Sequence, residues 1–203
     1  LVHRADHKAR FCSINWNYMP PSGGTVIHPH HQVILDRYPT FLQELMIKGS
    51  EARPGLWADY VAKERELELR YIGKVGKVHL IAPFAPMGFD QIDGIIEGVT
   101  CIPELSKKDI EAIASSVNQI LGFYGHLKRS SFNMALYSSS LDNPPGEGPM
   151  WLSFKLLGRS NLRPFNRSDA GYTERLHYES VVNKPPELVA SQMKEYLKKK
   201  NNE

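Results

Sequence analysis

Residues 11–35 constrain the fold most. Phe11-Cys12-Ser13-Ile14-Asn15-Trp16 alternates apolar and polar side chains like a half-buried strand, and Val33-Ile34-Leu35 is a short apolar run. Between them Ser22-Gly23-Gly24-Thr25 supplies a turn, so the stretch reads as strand, turn, strand. That element commits the chain to a sheet. The turn also offers unhindered backbone N–H groups and a hydroxyl, the ingredients of an anion-binding concavity, although a Gly-Gly pair alone is an ordinary hairpin turn.

The second arm opens with His28-Pro29-His30-His31-Gln32. On a strand, side chains two apart share a side, so His28, His30 and Gln32 are expected on one face and His31 on the other. Pro29 has no donor and suits an edge or irregular strand. Chemistry at phosphorus needs an uncharged nucleophile, and an imidazole qualifies when its other nitrogen is held by an acceptor such as a backbone carbonyl. His30 is the candidate nucleophile. His28 would orient it, and Gln32 would hydrogen-bond phosphoryl oxygens. A glutamine gives no proton to a departing group, so a covalent intermediate would wait for an acceptor, which favours transfer over hydrolysis. The plainer alternative is a transition-metal site, since His28 and His30 on one face can ligate the same ion. His3, His7, His79, His126 and His177 share no spacing and read as surface or satisfied histidines.

These residues resemble the His-Pro-His-x-Gln motif of the galactose-1-phosphate uridylyltransferase family, the transferase branch of the histidine-triad superfamily, whose hydrolases carry a third histidine where Gln32 stands. Asn17 matches a family asparagine that contacts nucleotide phosphates, and Gly23-Gly24-Thr25 matches the small-residue turn before the motif. The resemblance implies a double displacement. His30 takes a nucleoside monophosphate from an NDP-sugar and gives it to a sugar 1-phosphate, as in UDP-glucose–hexose-1-phosphate uridylyl transfer. It further implies galactose and nucleotide-sugar metabolism, a homodimer with shared sites, and substrate binding by Asn17, Ser22, Gly23, Gly24 and Thr25.

Further along, residues 56–70 resemble the helix entering the family's second half, and the segments at Val78, Phe132 and Trp151 resemble its later strands. Departures are equally specific. The second-half metal histidines are replaced by Tyr137, Phe154 and Leu156, so that metal site is expected to be absent. Family members often hold zinc with two cysteines and the histidine matching His28. Cys12 and Cys101 lack metal-ligand spacing, which leaves His28 as the one candidate metal ligand and gives zinc little support. Arg159, Arg163 and Arg167 before Tyr172 could line an anionic-ligand channel, or stand as solvated loop charges. The chain begins at Leu1, almost at the motif, so most of the family's first half is expected to be lacking.

Composition narrows the classes. With 41% hydrophobic and 23% charged residues, 203 residues can bury a sizeable core. A net charge of +3, with basic residues dispersed apart from Lys198-Lys199-Lys200, argues against nucleic acid. No apolar run approaches the roughly 20 residues of a membrane span, and two cysteines make no disulfide framework, so a cytoplasmic location is expected.

The expected fold is α+β, an antiparallel sheet backed by helices and histidine-triad-like. Residues 1–50 would be the remainder of a first half carrying the motif, and residues 51–203 a second half. Residues 36–70 read as helical with a break at Arg53-Pro54-Gly55, and Gly73 to Gly76 as a turn. Strands are expected near 78–86, 92–97, 132–138 and 150–157, with a long turn over 142–149. Ser106-Lys-Lys-Asp109 predicts an N-cap, with Ile110, Ile113, Ala114, Val117, Ile120 and Leu121 as the buried stripe. A final helix over 186–199 would bury Val189, Met193, Tyr196 and Leu197. The leading functional expectation is a nucleotidyltransferase; alternatives are a phosphorylase of the same superfamily and a non-catalytic nucleotide-binding homologue.

Overall fold

The computed structural model describes residues 8–161 and 180–202. Its strands are β1 (Phe11–Tyr18), β2 (Gln32–Asp36), β3 (Tyr71–Val75), β4 (Val78–Ile81), β5 (Phe89–Ile96), β6 (Phe132–Tyr137) and β7 (Ser153–Gly158). Its helices are α1 (Phe41–Ala52), α2 (Leu56–Leu67), α3 (Lys107–His126) and α4 (Pro186–Lys200). The strands form one seven-stranded sheet in the order β2-β1-β6-β7-β5-β4-β3, antiparallel at every joint. This is the α+β architecture expected.

Period-two alternation makes the sheet two-faced. Phe132, Met134 and Leu136 of β6, Phe154 and Leu156 of β7 and Ile92 and Ile96 of β5 join one core with Ile120, Phe123 and Tyr124 of α3 and Val189, Ala190 and Met193 of α4. The opposite face carries Asn15, Asn17, Asn133, Lys155 and Asp93. Over its far end α2 lays Val61, Trp57 and Tyr60 against Ile81 and Ile95. Gln43 fixes α1 nearby: its Oε1 accepts from the Thr40 amide at 3.3 Å, and its Nε2 donates to the Cys12 carbonyl at 3.2 Å and the Ser138 carbonyl at 2.7 Å. β2 is one edge of the sheet, with Val33 and Ile34 exposed.

Several boundaries differ from the sequence reading. Gly73 lies inside β3 at a register shift against β4, and the turn is Gly76-Lys77, so a bulged strand replaces the expected turn. β4 stops at Ile81 because Pro83 and Pro86 have no donor for a ladder. The Ser106–Asp109 capping box forms reciprocally, the Asp109 amide donating to Ser106 Oγ at 3.2 Å and the Ser106 amide to Asp109 Oδ2 at 3.0 Å. Asp109 is thereby turned inward, towards Lys77 at 3.7 Å, and of the expected stripe Ile113, Val117, Ile120 and Leu121 meet the core while Ile110 and Ala114 do not. The buried column is Asp109, Ala112, Ser116, Ile120, Phe123 and Tyr124, whereas Ile110 is 54% exposed and Ala114 faces solvent.

At the centre of the sheet, Gly94 lies opposite Phe154, whose ring occupies the space a Cβ on Gly94 would need. Gly94→Ala should therefore cost about 1–3 kcal/mol by overpacking, read as a lowered urea midpoint at unchanged slope.

Candidate active site

The candidate site begins where β1 ends. Trp16 and Tyr18 face the core side, so Asn15 and Asn17 face the other. The chain then reverses through a single 3-10 turn, Pro20–Ser22, entered by Met19 at φ 71°. The turn closes on itself. The amides of Ser22 and Gly24 donate to the Met19 carbonyl at 3.1 and 3.2 Å, and the Gly23 amide to the Pro20 carbonyl at 2.9 Å. The Ser22 hydroxyl is shared between the carbonyls of Tyr18 and Met19, each at 2.7 Å. A Cβ on Gly24 would stand 3.1 Å from the carbonyl oxygens of Asn17 and Met19, a tight approach that favours glycine here.

These bonds correct the expectation of an open phosphate cradle. The amides of Ser22, Gly23 and Gly24 and the Ser22 hydroxyl are spent inside the turn, which needs them to satisfy its own carbonyls. Thr25 is exposed beyond it.

Asn133 on β6 locks the turn to the sheet, a role sequence reasoning missed. Directly opposite Asn17 in the ladder, its Nδ2 donates to Asn17 Oδ1 at 2.6 Å and to the Ser22 carbonyl at 2.9 Å. Asn17 Nδ2 is left as a donor with no partner among the described residues. The available signal was an asparagine alternating with Phe132 and Met134 in a strand whose other residues are largely apolar.

The histidines lie on the irregular lead into β2, which begins only at Gln32, so the expected strand face starts later than predicted. Pro29 explains this, since it cannot donate to a ladder. His31 takes the side expected of it. His31 packs edge-on against Trp16 of the core side, ring centroids 4.8 Å apart. The rings of His28 and His30 lie together at 5.4 Å. His30 Nδ1 meets the His28 carbonyl at 3.0 Å. A carbonyl only accepts, so Nδ1 carries a proton, and in the neutral ring the lone pair is then on Nε2. Gln32 is exposed, and its carbonyl accepts from Asn15 Nδ2 at 3.4 Å.

The described residues do not offer a zinc donor set. No three His, Cys, Asp or Glu side chains among them come together around one point. Cys12 and Cys101 are both buried free thiols. Burial raises the Cys12 pKa, and burial together with the adjacent Glu104 pushes Cys101 up to about 12. At the second-half metal positions Phe154 and Leu156 are wholly buried in the apolar core, and burial drives the half-buried Tyr137 hydroxyl up to about 12.

Of the scattered histidines, His79 is buried and satisfied, its Nε2 donating to Glu97 Oε2 at 3.2 Å and its Nδ1 accepting from Tyr71 at 3.0 Å. Burial holds its pKa below the ordinary value. His126 is exposed. His3, His7, His177, Arg163, Arg167 and Tyr172 lie outside the described residues. The backbone of Arg159 donates to the Ser131 carbonyl at 2.9 Å, tying it to the end of β6. Lys198 to Lys200 are exposed in the last turn of α4. Among the described residues no helix is long and apolar enough to cross a membrane.

No protein-family model matches the chain. An uncharacterized protein of Archaeoglobus fulgidus is 29% identical over 189 residues, which are 91% of this chain and 56% of that protein. Among solved structures, a uridylyltransferase superposes with a TM-score of 0.80 at 18% identity, covering 96% of this chain and 63% of its own. An ADP-glucose phosphorylase from Arabidopsis thaliana with bound ADP-glucose gives 0.72 at 16% identity, covering 96% and 61%. A GalT-like protein from the same plant gives 0.73 at 17%, covering 96% and 63%. The chain has the GalT-like fold and spans less than two thirds of each of these proteins.

Two outcomes are expected. Asn133→Ala should release the turn and cost about 1–2 kcal/mol of stability in chemical denaturation. A thiol reagent at pH 8 should label neither cysteine in the folded protein and both in denaturant; rapid labelling of Cys101 in the folded state would contradict its burial beside Glu104.

Proposed function

We propose that the chain carries the nucleophilic centre of a nucleotidyltransferase, moving a nucleoside monophosphate from a nucleotide sugar to a sugar 1-phosphate through a nucleotidyl-histidine intermediate. One observation supports this reading above the rest: the His28 carbonyl holds His30 Nδ1 at 3.0 Å, which fixes the tautomer of the neutral ring with its lone pair on Nε2. The GalT-like fold, in which uridylyltransferases and a phosphorylase also occur, agrees with it.

In the proposed step His30 Nε2 attacks the α-phosphorus. The P–N bond forms as the bond to the bridging oxygen breaks, and the electron pair leaves on the sugar phosphate. A phosphate leaves without being protonated, so Gln32 serves as an amide donor to a phosphoryl oxygen and no acid is required at its position. Positive charge developing on the imidazole is held by the His28 carbonyl through Nδ1–H. Asn17 Nδ2 is the second donor aimed at the phosphates. In the return step an oxygen of the incoming sugar phosphate attacks phosphorus, the P–N bond breaks, and Nε2 recovers its lone pair. No step is routed through zinc.

A second reading shares the first half-reaction and differs in acceptor, with inorganic phosphate completing a phosphorolysis. The match to a phosphorylase favours keeping it.

The test is intact mass after incubation with UDP-glucose, ADP-glucose and GDP-mannose in turn. An acid-labile nucleoside monophosphate adduct is expected with one donor and is expected to vanish in His30→Ala; turnover by that variant would sink the assignment. Chasing the adduct with glucose 1-phosphate or inorganic phosphate separates the two acceptors. Gln32→His supplies an acid at the motif's last position and should shorten the adduct's lifetime in water by about tenfold or more, seen as monophosphate release without acceptor.

A further inference from the structure

Away from the histidines, a groove of about 800 Å³ opens between α1, α2, the loop Pro83–Met87 and the sheet. Its walls are largely apolar, with Met46 of α1, Trp57 and Tyr60 of α2 and Phe84 of the loop among them. Its floor is the paired Asp93 of β5 and Lys155 of β7. A volume of this size is that of a small-molecule site.

Ladder register fixes where this floor lies. Gln32, Asn15, Ala135, Lys155 and Asp93 stand in one row across five adjacent strands, so they share one face of the sheet. Lys155 is three strand spacings from Gln32, about 14 Å along that row. The groove is therefore on the site's face but separate from it.

The floor is polar in a directional way. Lys155 Nζ donates to Asp93 Oδ2 at 2.6 Å, and Gln91 Nε2 donates to Asp93 Oδ1 at 2.7 Å. The ammonium has three donors and uses one, so two have no partner among the described residues, although the side chain is only 19% exposed. Lining the groove, these donors are placed to meet an acceptor on a ligand. Beside them, Asp93 keeps free lone pairs that favour a donor. The complementary ligand has an acceptor and a donor side by side on one edge, and flat apolar faces for the aromatic walls.

We propose that this groove binds a planar heteroaromatic ring of the nucleobase class, its faces against Trp57, Tyr60 and Phe84 and its donor–acceptor edge read by Asp93 and Lys155. The site stands on its own residues and does not require the histidine chemistry.

The test is saturation-transfer NMR on the whole chain with uridine, adenosine and guanosine, which lack the phosphate the histidine site would hold. Expected is transfer to the base protons of at least one nucleoside, unchanged in His30→Ala and reduced at least fivefold in both Lys155→Met and Phe84→Ala. Phe84 is 73% exposed, so its variant reads the groove without threatening the fold. The proposal is overturned by absence of transfer with all three nucleosides, by transfer that survives in Phe84→Ala, or by displacement of the signal with glucose. Persistence of binding in His30→Ala without any adduct in the wild type would retain this site while sinking the nucleotidyl-histidine reading.

Discussion

The ladder between β1 and β6 is the constraint on which the rest depends. It sets Asn17 opposite Asn133 and Asn15 opposite Ala135, and through β7 it brings Lys155 into the same row. Because side chains alternate with period two, a slip of one residue would send Asn17 into the apolar core and Trp16 out of it. The same pairing gives the 3-10 turn its anchor, since Asn133 can reach the Ser22 carbonyl only in this register. One alignment of two strands thus sets the core, the turn and the polar face together.

Much of the fold was legible because local signals and tertiary packing agree. The alternation in β1, the capping box at Ser106 and the break at Arg53-Pro54-Gly55 each name a structure that forms. The misreadings arise where tertiary contacts override a local pattern. Ile110 belongs to an apolar stripe by periodicity, yet Asp109, held by Ser106, takes the inward place and turns Ile110 to solvent. Gly73 looks like a turn residue, yet a bulge lets it stay within β3 while Ile72 reaches the core.

For the site, what could be read was chemistry carried by neighbours in sequence. The His-Pro-His-His-Gln spacing pointed to a carbonyl-held imidazole, and the bond from His30 to the His28 carbonyl has that form. The spent amides of Ser22 to Gly24 were not legible, because a glycine pair reveals freedom but not where its donors go. Asn133 and the Asp93–Lys155 floor were illegible for a different reason: each acts through partners 62 to 116 residues away.

That distance also places an entropic cost on one seam of the sheet. β3, β4 and β5 pair as neighbours in sequence, as do β1 and β2, whereas the β1–β6 ladder joins residues 116 apart at the Asn17–Asn133 bond. Closing so large a loop is repaid only once β6 is seated on β7 and α3. The histidine segment leads into a terminal strand of the sheet, so its tie to the core runs through β2, β1 and the β1–β6 ladder. Loss of the β1–β6 ladder would free the histidine segment while β3, β4, β5 and β7 kept their own pairings.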